Sequence, residues 1–248
     1  MNRGQEERWS AAFAADLHLQ AQDSRGLGRA VELLALCSTR TRVLYLLGDV
    51  FDLWTSPGLL RLPELGPLFE AFQSAAAAGL RMVFLPGNRD FNFDARVNGG
   101  PPPRRLPEML TVDSAGRRIF LTHGDLFCTG DRAYRAARGI GRSFPVRMAF
   151  SHMPLGFSSF LSQGYRRLSA RAVQQKSMWE KAVDFSRVRG HLLQGHDTVI
   201  CGHVHRAARY KVDLPGGRIG EFITLGDWNR QGIYLVARNG DLTLRRFD

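Results

Sequence analysis

The sequence predicts an α/β fold carrying an inserted helical cap. Three observations lead there: β-like runs alternate with helical stretches early in the chain, the C-terminal stretch is nearly all strand, and a cationic helical region lies between them. At 248 residues the chain can bury one large core or two modest ones, and one domain with an insertion is expected.

Residues 11–15 read as the first strand. Leu27, Val31, Leu34 and Ala35 then fall at helical spacing, and residues 43–47 return to strand, making a βαβ opening. A helix over 65–78 and a strand over 80–85 repeat the pattern, followed by strands at 118–122 and 198–201. Four further strands, 210–214, 221–225, 232–237 and 242–247, are divided by turn residues such as Pro215-Gly216-Gly217 and Asn239-Gly240. They predict an antiparallel meander. Residues 98–105, rich in Gly and Pro and then basic, read as an irregular connector, and no internal repeat is present.

Between residues 127 and 184 Arg132, Arg135, Arg138, Arg142, Arg147, Arg166, Arg167, Arg171, Lys176 and Lys181 alternate with large apolar side chains. This region is expected to be the cap, with 1–126 and 185–248 forming the core. The stretch 144–165 is its most apolar part, but Pro145, Arg147, His152, Pro154 and Gly156 interrupt it, so it reads as surface-active and not as a membrane span.

A net charge of +11 points to an anionic partner: nucleic acid, anionic lipid or a phosphorylated substrate. The three cysteines, Cys37, Cys128 and Cys201, are too few and scattered for a disulfide framework. Residues 1–9 are polar and lack the apolar core of a signal peptide, so a cytoplasmic location is expected.

Five motifs each follow a predicted strand: Asp16-Leu17-His18, Gly48-Asp49, Gly87-Asn88-Arg89-Asp90, His123-Gly124-Asp125 and Gly202-His203-Val204-His205. Ligands of α/β sheets gather beyond the carboxyl ends of strands, where side chains from distant segments converge. Asp16/His18 and His203/His205, each two apart, could converge either because the chain turns after the strand or because it stays extended with both side chains on one face. Three His-bearing segments, two carboxylates and an amide oxygen are too many donors for one tetrahedral ion and suit two ions of higher coordination, with Asp49 as the bridge. Taken singly, a His-x-His or a Gly-Asp is more often an ordinary surface pair or turn; five in order, with glycines where the backbone must turn sharply, are not. His152, His191 and His196 lie outside the motifs and are read as structural. Asp52, Asp90 and Asp125 stand just behind the motif residues, where a carboxylate orients a neighbouring group or simply closes a turn.

These motifs, from Asp16 through His205, resemble those of the calcineurin-like metallophosphoesterases. The resemblance implies a four-layer α-β-β-α sandwich flanked by helices. It also implies one metal on Asp16, His18, Asp49 and His205 and another on Asp49, Asn88, His123 and His203, with manganese as the suggested ion. Asp16-Leu17-His18-Leu19, Gly87-Asn88-Arg89-Asp90-Phe91 and His123-Gly124-Asp125 continuing through Cys128, Thr129, Asp131 and Tyr134 are similar to the branch that cleaves UDP-2,3-diacylglucosamine. That branch yields UMP and 2,3-diacylglucosamine 1-phosphate, a lipid A precursor step at the bacterial inner membrane, through hydroxide held between the metals attacking the α-phosphorus.

Many relatives carry a histidine after the motif asparagine, where this chain has Arg89. A phosphate leaving group with a second pKa near ~6 departs without a proton donor, so a fixed cation on the phosphoryl oxygens serves better than a general acid. Asn88, Arg89 and His123 are accordingly the expected catalytic residues. Asn88, Arg89, Asp131, Lys176 and His203 are the expected substrate contacts, Lys176 by a loose likeness of Gln175-Lys176-Ser177 to a substrate-contacting stretch. The apolar residues of the cap, among them Phe144, Phe150, Phe157 and Phe160, suit either acyl chains or packing of the cap on the core. A monomer attached peripherally to the anionic inner leaflet is expected, with no nucleic acid as partner. The competing readings are a phosphoesterase for soluble nucleotides or diesters, a nucleic-acid binder suggested by the charge, and a scaffold that has lost its ligands, although no ligand position is vacant here.

Overall fold

In the computed structural model the described residues are 8–54, 57–93, 107–128, 139, 143–151, 183–228 and 232–247. They form two five-stranded sheets and the helices that cover them.

The first sheet runs in the order β10-β9-β1-β2-β3. Its strands β1 (Ala11–Ala14), β2 (Val43–Leu46) and β3 (Arg81–Phe84) are parallel, and β9 (Ile233–Arg238) and β10 (Asp241–Arg246) join antiparallel beside β1. The second sheet runs β4-β5-β6-β8-β7. There β5 (Arg117–Thr122), β6 (Thr198–Cys201) and β8 (Ile219–Thr224) are parallel, with β4 (Met109–Ser114) and β7 (Ala208–Asp213) antiparallel at the two edges.

Alternation of side chains across each strand builds the layers. Phe13, Tyr45 and Leu47 from the first sheet meet Ile119, Leu121, Ile200 and Ile223 from the second in one buried cluster. On the opposite face of the first sheet, Ala12, Leu44, Leu46 and Phe84 pack against α1 (Ser24–Arg40) and α2 (Gly66–Ala77) through Leu33, Leu34, Leu68 and Phe72. Beyond the second sheet, Phe120, Val199 and Phe222 pack against Val188 and Leu192 of a helix at Phe185–Leu193. The order of layers is therefore α-β-β-α, as expected.

α1 begins at the cap Asp23, whose carboxylate accepts the Gly26 N–H at 2.9 Å. A helix at Phe144–Ser151, numbered α3, lies within the expected cap, and Phe185–Leu193 becomes α4. Asp184 caps α4 by accepting the Ser186 N–H at 3.0 Å. No helix among the described residues is long and apolar enough to cross a membrane.

Two details correct the sequence reading. The C-terminal strands are not one meander: β7 and β8 pair in the second sheet, whereas β9 and β10 form a hairpin in the first. The chain crosses between sheets because β8 docks parallel beside β6 and β9 docks antiparallel beside β1. The Asn239-Gly240 turn is where it was expected, with φ of 49° and 86°. The edge strand β4 escaped notice because its exposure only alternates between partial and full, so it carries no buried face to read.

Candidate metal centre

All five motifs follow strands of the parallel sets, so they meet along one rim of the sandwich. The backbone turns there at once. Asp16, His18, Asp49, His203 and His205 all take positive φ, between 46° and 68°, and Ala115 and Asn239 in hairpin turns are the other described non-glycine residues that do so. The Asp-x-His and His-x-His pairs thus converge because the strand has ended. Such left-handed backbone costs non-glycine residues of order 1–3 kcal/mol each and persists where surrounding structure imposes it.

Two glycines let the motif loops touch. A Cβ on Gly87 would lie 2.1 Å from Asp49 Oδ1, and one on Gly202 would lie 2.6 Å from Asp16 Oδ2. Behind them Asp90 ties the second motif to the third. Its Oδ1 accepts the N–H groups of Gly87 at 2.8 Å and Asp49 at 3.2 Å, and its Oδ2 accepts that of Val50 at 2.7 Å.

The donors fall into two overlapping groups. Asp16, His18 and His205 bring ligand-capable atoms within 4.8 Å of one another, and so do Asp16, Asp49 and His123. Asp16 Oδ2 accepts the His203 N–H at 2.7 Å, while the buried Asp16 Oδ1 and His18 Nδ1 have no hydrogen-bond partner. The Nε2 atoms of His18 and His205 face each other at 3.2 Å. On the other side, Asn88 Oδ1 is 2.9 Å from His123 Nε2 and 3.2 Å from His203 Nδ1. His123 Nδ1 lies 2.9 Å from the Leu47 carbonyl and donates to it, which turns Nε2 toward the amide oxygen, where its deprotonated form offers a lone pair. Acceptors converging on acceptors, with an orphaned carboxylate oxygen between them, are what a divalent cation satisfies, so the donor set fits metal ions.

Titration in the metal-free site points the same way. Burial, with the neighbouring Asp49 charge, pushes Asp16 up to about 8 against the pull of His123. Burial works against a charge on His123, yet Asp49, Asp16 and Asp125 raise its pKa. His18 is driven down to about 2 by burial and then by the Arg89 charge, and His205 is lowered by burial against the opposing pull of Asp227 and Asp49. Protons are thus held on Asp16 and His123, where a cation would take their place.

Arg89 lies at the rim. Its N–H donates to Asp49 Oδ1 at 2.9 Å, and its guanidinium donates through Nη1 to Asp52 Oδ1 at 2.7 Å with Nε 3.8 Å from Asp49 Oδ2. The expected residues Asp16, His18, Asp49, Asn88, Arg89, His123, His203 and His205 are therefore brought together, whereas Asp131 and Lys176 lie outside the described residues. His196 is a satisfied structural histidine: Nδ1 lies 2.7 Å from the His191 carbonyl and Nε2 3.0 Å from Thr111 Oγ1. His191 stacks on Phe120, and His152 lies outside the described residues.

One residue went unread. Asp227 Oδ2 stands 3.9 Å from His205 Nδ1, behind the ring. Its signal was present, because Gly226-Asp227 follows β8 just as Gly48-Asp49 follows β2.

A family model for the calcineurin-like phosphoesterases matches residues 10–207, which contain all five motifs. The chain is a calcineurin-like phosphoesterase. As a member of that family it is a metal-dependent hydrolase. Among curated proteins, this phosphoesterase is 33% identical over 231 residues to the UDP-2,3-diacylglucosamine hydrolase of Aromatoleum aromaticum, covering 91% of this chain and 92% of that one. It is 31% identical over 239 residues to the enzyme of the same name from Aeromonas hydrophila, covering 96% and 98%. Among solved structures it is similar in fold to a dimetal phosphatase from Danio rerio, with a TM-score of 0.51 and 12% identity over 97% of this chain and 96% of that one.

Proposed function

We propose that this phosphoesterase hydrolyses the pyrophosphate bond of UDP-2,3-diacylglucosamine, releasing UMP and 2,3-diacylglucosamine 1-phosphate for lipid A synthesis. The observation that carries the reading is that relatives named for this substrate match more than nine tenths of the chain and of their own length.

Asp16, His18, Asp49 and His205 would hold one divalent ion and Asp49, Asn88, His123 and His203 a second, with manganese the ion of choice. When bound, such ions lower the pKa of water and neutralise phosphoryl charge. The chain's own residues do the positioning. Asp49 is fixed by Asp90 at its N–H and by the Arg89 N–H at its carboxylate, so its free oxygen keeps one aim. Asn88 and His203 present polar atoms next to the phosphoryl group, and His123, with Nδ1 tied to the Leu47 carbonyl, offers Nε2 inward. Arg89, where a proton donor would serve an alkoxide leaving group, meets the diphosphate as a fixed cation.

The region 127–184 would be a cap over the acyl chains, contributing Asp131 and Lys176 to the substrate. A charge of +11 suits a monomer held peripherally on an anionic inner leaflet, where each basic residue at the surface adds about 1 kcal/mol. The deciding experiment is a manganese-supplemented assay on UDP-2,3-diacylglucosamine beside a soluble phosphodiester, with products identified by mass spectrometry. UMP released from the lipid substrate supports the reading; cleavage of the soluble ester alone discards the lipid A assignment and keeps the hydrolase.

A further inference from the structure

We infer that Asp52 is the positioning residue for Arg89: it holds the guanidinium at the metal rim as an oriented anion clamp, and this chain's arginine after Asn88 depends on it. The inference rests on the role proposed above for Arg89 as the cation that meets the phosphoryl oxygens.

Both ends of the pair are immobilised. The Arg89 main chain is gripped by the loop that carries Asp52, since its N–H donates to Asp49 Oδ1 at 2.9 Å and its carbonyl accepts the Trp54 N–H at 3.0 Å. Asp52 in turn donates its N–H to the Leu19 carbonyl at 3.1 Å, just past the first motif. Phe51 and Trp54 on either side of Asp52 are buried and packed together with Phe93, at centroid distances of 4.7, 4.8 and 5.2 Å. The acid is thus anchored to three motif loops and an aromatic floor.

The carboxylate is 6% exposed as a residue, and it accepts Arg89 Nη1 at 2.7 Å. Without it, a long side chain with many rotamers would sample several directions, and the nearest alternative anion would be Asp49. The Nε atom is already 3.8 Å from Asp49 Oδ2. Loss of Asp52 would let the guanidinium fall onto that carboxylate and turn away from an incoming diphosphate. Holding Arg89 by one of its five N–H donors keeps the cation near the site, while further donors stay available to an incoming diphosphate.

The test is a double-mutant cycle on the full-length, manganese-supplemented protein, assayed on UDP-2,3-diacylglucosamine and on a soluble phosphodiester, with metal content measured for every variant. Arg89→Ala and Asp52→Asn should each lower kcat by about 10- to 100-fold with metal content unchanged. Asp52→Asn added to Arg89→Ala should cost less than about twofold more, as expected of residues that act as a unit. Asp52→Glu, which restores the charge, should recover most of the loss. Losses that multiply in the double variant, or an Asp52→Glu protein as impaired as Asp52→Asn, would overturn the assignment. Should Asp52→Asn not fold, Asp52→Ser, which also removes the carboxylate, takes its place in the same cycle. Failure of the substrate reading shows separately, as a wild type that turns over only the soluble ester, on which the cycle can still be run.

Discussion

Asp90 holds Asp49 from behind. One carboxylate oxygen accepts the N–H groups of Asp49 and Gly87, the other that of Val50, so a single buried side chain locks the second motif loop to the third. Burial, reinforced by the charge of Asp49, raises its pKa to about 6. Asp90→Asn keeps the shape but replaces one acceptor with an N–H donor facing a backbone N–H. Leaving that group unpaired should cost about 1–3 kcal/mol of stability, measurable by urea denaturation, and should loosen metal binding in parallel.

Asp49 is the one residue placed in both proposed metal sites. Asp49→Ala should lose metal and should reduce turnover by more than the ~10–100-fold typical of outer-shell carboxylates. Metal analysis beside the hydrolysis assay checks both, and near-wild-type activity in a metal-loaded variant would sink the two-metal assignment.

Asp227 faces the far nitrogen of His205 at 3.9 Å. Asp227→Asn should weaken metal binding by about 10–100-fold by removing the charge that supports the ring. A titration of manganese into the metal-free protein tests it, and an unchanged dissociation constant would reduce Asp227 to a turn residue.

Gly87 is required by space, not by backbone conformation. A methyl group there would meet Asp49 Oδ1 at 2.1 Å and Asp49 N at 2.3 Å, and backbone cannot swing away as a flexible side chain can. Gly87→Ala should cost about 1–3 kcal/mol and should impair metal binding more than its stability loss explains. Gly28→Ala, inside α1 with open space around the added carbon, is the control expected to raise stability by about 0.5–1 kcal/mol and to leave metal binding unchanged.

The metal-free protein should lose stability as pH rises from about 6.5 to about 8. Asp16, raised to about 8, and His123, also raised, bind more protons folded than unfolded in that window, so unfolding releases protons and the slope is negative. His18, lowered to about 2, acts in the opposite sense only below its unfolded value of 6.5 and so does not offset them there. Melting temperatures measured with chelator should therefore fall across this range, and saturating manganese should flatten or reverse the trend. A flat profile with chelator would count against the buried, proton-holding cluster.

Much of the architecture was legible because its signals are local. Strands β1, β2, β3, β5 and β6 each announced themselves by a short apolar run, and the motif behind each run could be read without knowing its neighbours. β4 and the crossing from β8 to β9 could not, since β4 has no fully buried residue and sheet membership depends on pairing with distant segments.

The same division holds at the site. Donor types, their order and their placement after strands are legible along the chain, because a strand followed by Asp, His or Gly is a pattern of adjacent residues. Packing alone establishes that the Asp-x-His and His-x-His pairs turn through left-handed backbone, that Asp90 spans two loops, that Arg89 is held by Asp52, and that Asp227 backs His205. The contacts of Asp90 with Asp49, Arg89 with Asp52 and Asp227 with His205 join residues 41, 37 and 22 positions apart, and no periodicity records them. They exist because two sheets packed face to face bring their carboxyl ends to one rim, where buried charge has to find a partner.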